Sequence, residues 1–148
     1  MLSLKFNRTT EYALRAMANL ALQRHDRPMT AKALSKATDI PQHYLSKIMK
    51  KLVEAGLVMS QKGHGGGFSL GKPNNEIPFL DILVASGYES HPNRCVYGWG
   101  ECNNEAPCPL HDSWVELNDA FKEWAMKKTL MDVRGHPVQA PGDATEGV

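Results

Sequence analysis

The chain has 148 residues, 42% of them apolar, and a formal net charge of +1, which is length enough for one domain with a core and one appended element. No stretch approaches transmembrane length, and the opening MLSLKFNRTTEY lacks the apolar centre of a signal peptide; a cytoplasmic protein without membrane contact is expected. The near-neutral total conceals a division: residues 1–72 carry 12 Lys and Arg against 4 Asp and Glu, whereas residues 73–148 carry 5 against 12. A basic front half is where a nucleic-acid partner would bind, although scattered surface lysines give the same tally.

In chain order, Thr9 or Thr10 is the predicted cap of a first helix running to about Gln23, with Leu14, Met17, Leu20 and Ala21 as its apolar stripe. Charge and Pro28 break it. Thr30 caps a short second helix containing Ala33, Leu34 and Ala37. After the turn ATDI, Pro41 is the expected first residue of a third helix, PQHYLSKIMKKLVEAG, which stops at Gly56. Leu45, Ile48, Leu52 and Val53 share one face of it, and Gln42, His43, Ser46, Lys47 and Lys50 lie on the other. A short helix, a tight turn and a longer helix with a polar, basic outer face form a helix-turn-helix pattern. A major groove admits one such helix, whose outer side must donate to base edges while its inner side grips the core. An ordinary amphipathic surface helix shows the same periodicity, so the following segment matters.

Strand-like LVMSQ and FSL flank the glycine run in KGHGGGFSLGKP. Its HGGG and GFSLG strings resemble an oxyanion loop and a nucleophile elbow. The elbow needs a helix directly after its serine, which Gly71-Lys72-Pro73 cannot start, and no G-x-x-x-x-G-K-[ST] phosphate loop occurs. A hairpin remains: a wing beside the helix-turn-helix. Gly65 and Gly66 would let its backbone approach phosphates, and Lys62 or His64 could enter a minor groove. Tyr12 and Tyr44 are expected in the core.

IPFLDILVASG reads as a fourth helix with Pro78 at its start, and Tyr88 to Pro107 as a loop. That loop and the residues after it hold CVYGWGECNNEAPCPLH, with all three cysteines of the chain, Cys95, Cys102 and Cys108, and with His111 at C-x-x-H spacing. Three thiols cannot all pair, and cytosolic thiols do not build a disulfide framework. Soft thiolates gathered beside an imidazole suggest a metal centre. Iron–sulfur and zinc are both chemically open, as are unmetallated thiols. The spacing lacks paired C-x-x-C knuckles, and its longer arcs suit a larger cluster. Trp99 would shield such a centre or simply pack in the loop.

A long last helix is expected from near Pro109 to Met131, with Leu110, Trp114, Leu117, Phe121, Trp124 and Met131 as a narrow seam. Asp112 and Glu116 near its start and Lys127 and Lys128 near its end suit the macrodipole. The seam can pack on its own domain or on a second copy, and dimerisation is the expectation. The fold class is thus mainly α with a small β-wing. Its expected divisions are a winged helix-turn-helix domain over 1–87, a cluster loop over 88–108, a dimerisation helix over 109–131 and a disordered tail over 132–148.

EYALRAM, YLSKIMKKLVEAGLV, KGHGGGFSLGKP and the closing CPLHDSW, taken together, resemble the Rrf-two family of winged-helix regulators, which includes IscR- and NsrR-like iron–sulfur sensors. The resemblance covers roughly residues 1–130. It implies a homodimer, a double-stranded DNA operator and an iron–sulfur cluster, 2Fe-2S ahead of 4Fe-4S, whose state controls DNA binding. By position it implies Cys95, Cys102 and Cys108 as ligands, with His111 completing the set. Glu11 of the partner protomer is the alternative fourth ligand, since some nitric-oxide-sensing members place an acid there. The first cysteine gap is one residue longer than in the best-known assembly regulators of the family. The resemblance further implies Lys62 as a minor-groove reader and Gln42, His43, Ser46 and Lys47 on the recognition helix. The resulting function is a cluster-gated transcriptional regulator, a repressor, and not an enzyme. A thiol or iron–sulfur electron-transfer protein without a DNA role is the alternative.

Overall fold

A computed structural model describes residues 5–23, 27–88 and 93–133. Helix α1 spans Arg8–Leu22, α2 Ala31–Thr38 and α3 Gln42–Glu54; strands β1 (Val58–Gln61) and β2 (Gly67–Leu70) follow, then α4 (Phe79–Ala85) and α5 (His111–Lys127). The α1 cap is neither expected threonine. Asn7 caps it, its Oδ1 accepting from the Thr10 amide at 2.9 Å. Thr10 turns inward instead, its hydroxyl 3.0 Å from that of Ser86, which donates to the Leu83 carbonyl at 2.7 Å. Thr30 caps α2 as expected, accepting from the Ala33 amide at 3.1 Å.

Three residues, Asp39 to Pro41, separate α2 from α3. Asp39 takes the left-handed conformation with φ 55°, tolerable for a short polar side chain and needed to reverse the chain. Helix α3 ends in a Schellman motif: Leu57 N–H donates to the Leu52 carbonyl and Gly56 N–H to that of Val53, both at 3.0 Å. The reversal feeds α3 directly into β1. β1 and β2 pair antiparallel from Val58 with Leu70 to Gln61 with Gly67.

Met29 adds a short third rung to this hairpin, exchanging two 2.8 Å backbone hydrogen bonds with Phe68. Nothing in the local sequence announces it, because the pairing joins residues far apart in the chain. Helix α1 lies at the centre, touching α2, α3, α4 and β2. Its Met17 packs in one core with Leu34, Leu45, Leu52, Leu57, Ile77 and Ile82. Each such fully shielded side chain contributes roughly 2 kcal/mol relative to exposure.

The last helix is shorter than expected. It stops at Lys127, Lys128 turns extended, and Thr129 forms a bridge with Pro78, so Met131 lies off the helix in a 3₁₀ turn, Leu130–Val133. Leu130 is fully buried in the same core as Met17 and Ile77 and explains the break: its side chain packs there, not along α5. Of the expected tail over 132–148, Asp132 and Val133 belong to this turn, and the remainder lies outside the described residues. No described helix is long and apolar enough to cross a membrane.

Candidate functional site

Helix α3 presents two unlike faces. Leu45, Ile48, Met49 and Leu52 are buried, while Gln42, His43, Ser46, Lys47 and Lys50 are exposed, as their spacing predicts. The Ser46 hydroxyl donates back to the Gln42 carbonyl at 3.0 Å, which engages its one proton within the helix. Tyr44 departs from expectation: it is 42% exposed, not core. It stands one residue before the buried Leu45, at the flank of the helix. Its ring lies 4.8 Å from His43 and edge-on to half-buried Tyr12 at 6.0 Å, with the Arg15 guanidinium 5.2 Å over Tyr12. This aromatic and cationic flank extends the polar face, and only its offset from the buried stripe signals it in the sequence.

The wing loop carries Lys62, His64 and Gly65 into solvent. Two of its glycines answer to the hairpin itself. A Cβ on Gly66 would fall 2.2 Å from the Gln61 carbonyl oxygen, and one on Gly67 2.4 Å from that of Met29. Whatever Gly66 touches outside the chain, the hairpin already requires it to be glycine. Gly65, by contrast, has open space where a Cβ would point.

Cysteines 95 and 102 sit on a small hairpin. Arg94 bridges Glu101, the Cys95 amide donates to the Gly100 carbonyl at 2.8 Å, and the Cys102 amide to that of Asn93 at 2.5 Å. Asn103 then turns the chain, its Oδ1 accepting from the amides of Glu105 and Ala106. Cys108 precedes α5, its carbonyl accepting from the His111 amide at 3.0 Å. The indole of Trp114, on α5, donates to the Arg94 carbonyl at 2.8 Å and ties hairpin to helix.

All three thiols are free and half-buried. Burial pushes the Cys102 thiol above its ordinary value, and the neighbouring sulfurs of Cys95 and Cys108 push it further. Among the described residues no group of three or more His, Cys, Asp and Glu is arranged to hold a metal ion as it stands. The donor set, three free thiols and a half-buried imidazole at His111, suits a soft metal centre in type, and the hairpin would have to close to gather it. Glu11 is exposed on the first turn of α1. Trp99 stacks on Tyr97 at 5.2 Å and is 81% exposed.

The α5 seam divides. Phe121 packs inward against Phe6 and Tyr88, while Trp124 meets Phe79 and is still 43% exposed. Leu110 and Leu117 of the seam are exposed, as is Met126 outside it, and Ala125 is the only fully buried residue of the helix.

The Rrf2 family, described as "Iron-dependent Transcriptional regulator", matches residues 6–135. A protein of Aquifex aeolicus named among HTH-type transcriptional regulators is 35% identical over 130 residues, covering 86% of this chain and 90% of its own. The HTH-type transcriptional regulator IscR of Vibrio campbellii is 29% identical over 127 residues, covering 86% and 75%. Among solved structures, CymR, the global cysteine regulator of B. subtilis, superposes with a TM-score of 0.77 at 26% identity over 92% of this chain and 100% of that one. T. potens IscR shares the fold with a TM-score of 0.72 at 23% identity, covering 88% and 86%. The winged helix-turn-helix, the exposed α3 face and these matches agree: the chain belongs to the Rrf2 family of DNA-binding transcriptional regulators.

Proposed function

We propose that this chain is a homodimeric repressor whose grip on a double-stranded operator is set by an iron–sulfur cluster, 2Fe-2S ahead of 4Fe-4S. What supports this reading is the donor set itself: three free, half-buried thiols on one short hairpin and the approach to α5, with His111 opening that helix. Cys95, Cys102, Cys108 and His111 would hold the cluster, with Glu11 of a second protomer as the alternative to His111. When bound, the cluster supplies a centre with one comparatively labile non-thiolate bond, sensitive to iron supply, nitric oxide or oxidants.

The chain's own residues do the rest. Gln42, His43, Ser46, Lys47 and Lys50 of α3 read the major groove, and Lys62 and His64 reach beside it with Gly65 and Gly66 near the phosphates. Exposed Leu110 and Leu117, two helical turns apart on one side, leave the start of α5 a face for a second copy. Trp114 fixes the cysteine hairpin to α5, whose far end is fastened by the Pro78–Thr129 bridge and by buried Leu130 to the core around α1. A change in the hairpin thus has a packed route to the helices that carry the reading head. A coupling of about 1–3 kcal/mol along it corresponds to a 5–150-fold switch in affinity.

The test is anaerobic isolation with absorption spectroscopy and counts of iron and sulfide, beside Cys102→Ala. The variant is expected to lose visible absorption and to change operator affinity at constant salt. Unchanged spectra would remove Cys102 from the ligand set.

A further inference from the structure

Behind the wing, a cleft of about 560 Å³ opens between the end of α1, strand β2 and the turn that follows it. Its size falls in the range of small-molecule pockets, roughly 300–1,000 Å³. Leu20, Phe68 and Leu70 give it an apolar wall, while Arg27 and Lys72 bring two cations and none of its described lining residues is acidic. Asn74 also lines it. That side chain is only 6% exposed, yet its Oδ1 is buried without a hydrogen-bond partner. It caps no helix, since Pro73 occupies the cap position of the short 3₁₀ turn it begins. A buried amide oxygen left unpaired costs stability unless something donates to it.

We propose that this cleft binds a small organic anion that also carries an ammonium or hydroxyl donor, of the phosphorylated or hydroxylated amino-acid class. Arg27 and Lys72 take the carboxylate or phosphate, the apolar wall takes the short carbon chain, and Asn74 Oδ1, closed off from solvent in the free chain, turns outward to accept from the donor. Because Phe68 and Leu70 belong to β2, the ligand would lie directly against the wing.

The experiment is calorimetric titration of the full chain with O-phospho-L-serine, and with L-serine and inorganic phosphate as half-ligands. O-phospho-L-serine is expected to bind, and each half-ligand to bind at least about tenfold more weakly, the scale of one lost charge-assisted hydrogen bond. Lys72→Ala, at an exposed position, is expected to weaken binding about tenfold. Asn74→Ala should fold at least as stably without ligand, since Oδ1 has no partner to lose, and should weaken binding similarly. Absence of binding at millimolar O-phospho-L-serine, equal binding of inorganic phosphate, or unaltered affinity in both variants would overturn the proposal. So would displacement of the ligand by duplex DNA of any sequence, which would assign the two cations to the nucleic-acid backbone.

Discussion

Gly67→Ala measures what the glycine run is for. The new Cβ would lie 2.4 Å from the Met29 carbonyl oxygen and 2.6 Å from its carbon, both backbone atoms that yield only if Met29 leaves the wing. Leaving breaks the two 2.8 Å hydrogen bonds with Phe68, worth about 1 kcal/mol each. The backbone at Gly67 has φ 152°, a conformation that L side chains rarely adopt, which adds about 1–2 kcal/mol of strain. The expected loss is about 3–4 kcal/mol against a typical total of about 5–15. With a urea slope near 2 kcal/mol/M, the unfolding midpoint falls by about 1.5–2 M. Gly65→Ala is the control. It also has positive φ, 79°, but nothing within 4 Å of the new Cβ, so its cost is about 1–2 kcal/mol. Equal midpoints for the two variants would refute the idea that close approach of the Met29 strand dictates Gly67.

Three further outcomes are expected. Asn7→Ala should cost about 1 kcal/mol in urea unfolding and Thr9→Ala almost nothing, because Asn7 caps α1; the reverse order would return the cap to the threonine. Lys62→Ala should weaken binding about tenfold at operators with a narrow minor groove and less elsewhere, whereas equal loss on every duplex would make Lys62 a phosphate contact only. In the metal-free protein, alkylation of Cys102 should rise with pH only above the range of an ordinary thiol, since burial and the sulfurs of Cys95 and Cys108 disfavour its thiolate. Replacing Cys95 and Cys108 with Ser should move that rise part of the way down; a profile at or below the ordinary range would contradict the packing of the hairpin.

Local pattern made much of this molecule legible. The stripe Leu45, Ile48, Leu52 and the glycine at 56 define α3 because periodicity and a left-handed cap are properties of neighbours in sequence. The wing followed from turn chemistry in the same way. What escaped depends on contacts between distant residues. Thr10 reads as a cap and is buried because Ser86 meets it; Met29 pairs with Phe68; Leu130 leaves the helical seam because the core around Ile77 takes it. Tyr44 stands a single step around the helix from the buried stripe, and Trp99, flanked by glycines, carries no periodic signal at all. At the thiol site the residue types were legible, but how far apart the hairpin holds the donors is set by its fold and is not encoded in spacing.

The most direct measurement is a fluorescence-anisotropy titration of an operator duplex with anaerobically isolated protein, before and after removal of iron by a chelator, at one salt concentration. A change in affinity within about 5–150-fold, accompanied by loss of visible absorption, is the predicted result. Iron-free, colourless protein at the outset, or identical affinity in the two states, would contradict a cluster-gated repressor while leaving the winged helix-turn-helix in place.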